Sequence, residues 1–97
     1  MEAEMFTEQI WRSEGIEFNL RRMGVLIPKD IADTIACLER DELHRLIELL
    51  NLAVWLESYE EWEAFSDEPL FRKANRFLEA QDNKTWLGVL KVLIGLL

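Results

Sequence analysis

Thirteen residues, Thr85 to Leu97, carry a single charge, Lys91, among Trp86, Leu87, Val89, Leu90, Val92, Leu93, Ile94, Leu96 and Leu97. A helix made of this segment has no polar side to offer water. It must be enclosed by the rest of the chain or covered by a second copy of it. Thirteen residues fall short of the roughly 20 that a helix needs to cross a bilayer, so no membrane span is expected. Shallow insertion is disfavoured as well, because a helix lying on a membrane normally shows Lys and Arg on a polar face. Any fold open to this chain has to build a shelter for its last helix.

The preceding residues are punctuated for that task. Apolar residues at intervals of three and four, with no proline, predict a first helix over 2–23, using Phe6, Ile10, Leu20 and Met23 beside Met5, Trp11, Ile16 and Phe18. Gly15 within it predicts a kink or a close helix crossing, and Gly24 after Arg21 and Arg22 predicts its end. Pro28 suits the first turn of a second helix carrying Ile31, Ile35 and Leu38. Asp41 is the expected cap of a third, with Leu43, Leu46, Ile47, Leu50 and Val54 on one stripe. Leu49, Leu52, Trp55 and Leu56 widen that stripe, which predicts a central helix with neighbours on more than one side.

Ser58 and Glu61 have capping-box spacing and predict a short helix burying Trp62 and Phe65. Pro69 after acidic residues opens a helix striped by Leu70, Phe71, Ala74, Phe77 and Leu78, with Arg72, Lys73 and Arg76 outside. Asp82 or Asn83 opens the last. No segment alternates apolar and polar residues as a strand would. The expected fold is all-α, one domain over 1–97, an irregular orthogonal bundle of five to six helices.

With 49% hydrophobic residues in 97, the chain can form one modest core but not two. The lone Cys37 excludes an intrachain disulfide and a Cys-rich zinc site, and Met1 to Thr7, with two acids and no base, has the character of neither a secretory signal nor a transit peptide. A cytoplasmic location is expected. Nineteen acids against eleven bases give a net charge of −8. Six of those acids, Glu57, Glu60, Glu61, Glu63, Asp67 and Glu68, fall within twelve residues that hold no base, so −8 less −6 leaves −2 elsewhere. Such a run is ordinarily a solvated rim; its sharper reading is an acidic patch for a basic partner. The overall sign repels phosphate backbones, and direct nucleic-acid binding is not expected.

Reactive chemistry is thin. Cys37 and His44 lie seven residues apart, without the strained elbow or glycine-rich oxyanion loop that nucleophilic catalysis needs. Cys37 is expected to be a small buried hydrophobe and His44 a surface or boundary residue. Gly15, Gly24, Gly88 and Gly95 are too dispersed to cradle phosphate. His44 and Glu48 share a helix face, but two ligands are too few, and a di-iron motif would need a second His. A helix-turn-helix reading of the second and third helices would put Asp41 and Glu42 at the groove, with the wrong sign for phosphates and base-edge acceptors. No enzyme, cofactor or metal site is expected.

The run Leu20-Arg21-Arg22-Met23-Gly24, then Ile27-Pro28, Ile31, Ile35, Leu38, Leu43, Leu46, Ile47 and finally Leu56-Glu57-Ser58-Tyr59 and Trp62 resembles the helical C-terminal tails of recombination-promoting nuclease, or transposase-like, proteins. Met23 stands where those tails usually carry an aromatic residue. The catalytic carboxylates and lysine of that family belong to an upstream α/β domain, so the resemblance transfers no catalytic residue. It implies a free-standing accessory or oligomerisation module that regulates a larger partner. The functional expectation is therefore a non-enzymatic protein-interaction module, a homodimer, with Trp62, Trp86, Leu90, Leu93 and Leu97 as contact residues. The alternative is an acidic nucleic-acid mimic, antitoxin-like, that blocks a basic groove.

Overall fold

Helix punctuation and local capping divide the chain much as the spacing predicts. A computed structural model describes residues 2–59 and 69–96, with side chains described over 12–59 and 69–96. Among the described residues there are five helices and no strand: α1 Glu2–Arg22, α2 Lys29–Ala36, α3 Arg40–Leu56, α4 Pro69–Glu79 and α5 Asn83–Leu96. The expected helix at 58–65 falls largely outside the described residues.

Gly24 ends α1 in a left-handed conformation, φ 77°. The Val25 N–H reaches back to the Leu20 carbonyl at 2.9 Å and the Gly24 N–H to that of Arg21 at 3.0 Å. This is a Schellman stop, and its customary apolar contact partners, Leu20 and Val25, are both buried. The end of α3 repeats the device without a glycine. Glu57 takes φ 55°, and the Ser58 N–H reaches the Ala53 carbonyl at 3.1 Å.

Several expectations shift by a turn or change sides. Pro28 stands just before α2, its carbonyl accepting from the Ile31 and Ala32 N–H groups, and so serves as the cap instead of the first helical residue. Glu39, not Asp41, caps α3; the Glu39 N–H points to Glu42 Oε1 at 3.4 Å, leaving Asp41 and Glu42 in the first turn, where the helix dipole favours acids. Helix α1 runs unbroken through Gly15, and a Cβ built there would meet nothing within 4 Å. The close crossing is at Gly88 in α5, where a Cβ would lie 3.1 Å from Val25 Cγ2 and 3.5 Å from Leu20 Cδ2.

The principal packing contacts place the helices in the spatial order α3, α5, α1, α2, α4. The closing helix thus lies between α3 and α1, which is how its apolar circumference is sheltered. Helix α3 has α5 as its main neighbour and stands at one end of this order, so the central position expected for α3 belongs to α1. Asn83 Nδ2 donates to the Val54 carbonyl at 3.2 Å, setting the start of α5 beside the end of α3. Helices α1 and α2 are joined by Ser13 Oγ donating to Asp33 Oδ1 at 2.5 Å and by Arg12 Nη1 donating to the Ala36 carbonyl at 3.4 Å. A 3.3 Å ion pair, Lys73–Asp30, links α4 to α2.

Candidate interaction surface

Residues Trp86, Leu90 and Leu93, expected to meet a partner, are enclosed by the chain's own core, with 6%, 7% and 0% of their surface exposed. They leave a partner almost nothing to touch, because α5 is flanked on two sides. Trp62 and Leu97 lie outside the described residues. Of the acidic patch, Glu57 is described and exposed, in the left-handed turn that ends α3; Glu60, Glu61, Glu63, Asp67 and Glu68 lie outside the described residues.

Trp86 has a different duty. Its Nε1 donates to the Leu78 carbonyl at 2.7 Å, and its ring sits 5.8 Å from that of Tyr59, tilted by 40°. The Tyr59 hydroxyl donates to Oδ1 of Asn75, which is almost fully buried in α4. This satisfied polar cluster ties the segment after α3 to both α4 and α5. It is structural glue at the junction of three pieces of chain, since buried polar groups persist only when paired.

Among the described residues, exposed apolar side chains occur on several elements, Leu26 before α2 at 77% included, but three large ones gather on one face of a single helix, α3. Its outward stripe follows the helical repeat through Asp41, His44, Arg45 and Glu48, and continues through Leu52, Trp55 and Leu56. The first half of this stripe is charged. The second half is apolar, with Leu52 36%, Trp55 80% and Leu56 60% exposed. Leu43, Leu46, Leu49, Leu50 and Ala53 occupy the opposite side and are buried, so the exposed trio is not needed for the core. A corresponding outward stripe on α5, Leu87, Lys91 and Ile94, is narrower and broken by its charge. Phe18 also leaves the core, with the Arg22 guanidinium 5.8 Å from its ring centroid.

Cys37 ends α2 and is exposed, contrary to the expected buried thiol, and His44 is exposed on α3. No group of three His, Cys, Asp or Glu side chains able to hold a metal ion occurs among the described residues. No described helix is long and apolar enough to cross a membrane. Among the described residues one carboxylate is displaced from its ordinary value: the Thr85 backbone N–H, then its hydroxyl, hold the Asp82 pKa below 3.8, as befits the cap of α5. In the sequence Leu52, Trp55 and Leu56 belong to a wide apolar face that predicts neighbours on more than one side; in the fold all three are exposed. The available signal was their register, which prolongs a charged stripe. Compared with protein-family models, with curated proteins and with solved structures, the chain matches none.

Proposed function

We propose that this chain is a non-enzymatic protein-interaction module that self-associates through the outer face of α3. The observation that carries the reading is Trp55, four-fifths exposed between Leu52 and Leu56 on a helix whose core-facing side is already filled. Each large apolar side chain moved out of water contributes roughly 1.5–3 kcal/mol. A two-fold axis through this face would bring two such trios together, and Trp is enriched at the energetic centre of interfaces. The charged half of the stripe would then form the polar rim. In keeping with the resemblance of residues 20–62 to nuclease-protein tails, the dimer would regulate a larger partner.

Sedimentation of the full chain over the micromolar range tests this. The expected result is a concentration-dependent dimer that Trp55→Glu converts to a monomer without loss of helicity. A wild-type chain that stays monomeric, or a Trp55→Glu dimer of unchanged affinity, overturns the reading. The alternative, an acidic mimic that occupies a basic groove, draws on the six carboxylates in 57–68. It differs in that binding would fall steeply with salt and on charge reversal at Glu60, Glu61 and Glu63, while ignoring Trp55.

A further inference from the structure

Helices α1 and α5 enclose a second surface feature, an open groove of about 300 Å³ floored by Ile16, Val92 and Leu96. Gly15 and Gly95 stand along it, and a Cβ built on either would meet nothing within 4 Å, so bare backbone permits close approach by another segment. At this size the groove is at the bottom of the range for small-molecule pockets, but it has room for an aromatic ring. The described ionisable groups lining it are both cations, Lys91 of α5 and Arg12 of α1, whose Nη1 also donates to the Ala36 carbonyl at 3.4 Å. Neither is in an ion pair with a described residue. Lys91 is also the sole charge between Thr85 and Leu97. In a chain of net charge −8, an apolar groove whose described ionisable side chains are both cations favours an occupant that is anionic and carries an apolar anchor.

The chain itself contains that chemistry. Residues 57–68 hold six carboxylates and no base, together with Trp62 and Phe65. We infer that the α1–α5 groove receives the acidic stretch that follows the anchored Tyr59, residues 60–68, of a second copy of this chain, carboxylates against Lys91 and Arg12 and the ring of Trp62 or Phe65 over Ile16, Val92 and Leu96. The inference rests on the self-association reading above but uses a different surface, so the two separate experimentally. If each copy docks its segment on the other, the contact closes as a symmetric pair.

The test is fluorescence anisotropy of a labelled peptide with the sequence of residues 60–68, titrated with the full chain at low and high salt. Binding is expected, weakening steeply with salt. Lys91→Glu should lower the affinity about tenfold or more, whereas Lys91→Arg retains it. Circular dichroism checks that each variant stays helical, and Lys91→Gln replaces Lys91→Glu if the latter unfolds. Absence of binding, affinity indifferent to salt, or equal affinity for the charge-reversed groove overturns the inference. Trp55→Glu should leave peptide affinity unchanged, so loss of the α3 contact and loss of the groove contact are read independently.

Discussion

At the residue scale, positions where the backbone is special decide most. Asp82 accepts the Thr85 N–H at 3.0 Å, and its pKa is lowered in consequence. A depressed carboxyl pKa stabilises the fold above the ordinary Asp value and loses that contribution as pH falls through the folded-state value. Asp82→Ala should therefore melt below wild type at neutral pH, with the gap narrowing under acid conditions, as followed by thermal denaturation from pH 7 to pH values below 3.8. Gly88 is the opposite case, a glycine required by a neighbour and not by its dihedrals. With 3.1 Å between a Cβ and Val25 Cγ2, Gly88→Val should cost about 1–3 kcal/mol in a denaturant titration. Gly24 and Asp82 were legible because stops and caps are written in adjacent residues. Gly88 was not, since the side chains that crowd it come from residues more than sixty positions away.

Among elements, amphipathicity predicts which residues avoid water but not which neighbour covers them. The stripe of α2 is buried at Ile31, Ile35 and Leu38; that of α4 is buried at Phe71, Ala74 and Leu78, while Phe77 is half-buried and Leu70, in the first turn, is exposed. Helix α3 has too wide an apolar arc for one reading: α5 is its main neighbour and the part bearing Leu46 and Leu50 is fully buried, while the part bearing Trp55 remains open. The polar cluster of Tyr59, Asn75 and Trp86 was invisible to periodicity, because it joins three segments distant in sequence. Tyr59→Phe removes the hydroxyl that donates to Asn75 Oδ1 and leaves that acceptor buried. The expected loss is about 1–3 kcal/mol, measured by chemical denaturation, with near-ultraviolet dichroism reporting the neighbouring Trp86.

For the whole molecule, composition and spacing established an all-α chain with one core, the apolar stripe of α2, the stop at Gly24 and a cap at Asp82 or Asn83, because each of these depends on residues a few positions apart. The need to shelter the last helix was equally legible. How it is sheltered, by α3 on one side and α1 on the other, was decided by tertiary packing. That choice withdrew Trp86, Leu90 and Leu93 from the surface and left Leu52, Trp55 and Leu56 on it. Burial is a property of neighbours brought together from across the chain, and the hydrophobic effect that selects them is non-directional. A sequence therefore states how much apolar surface must leave water, and only the assembled helices determine which part of it is left outside.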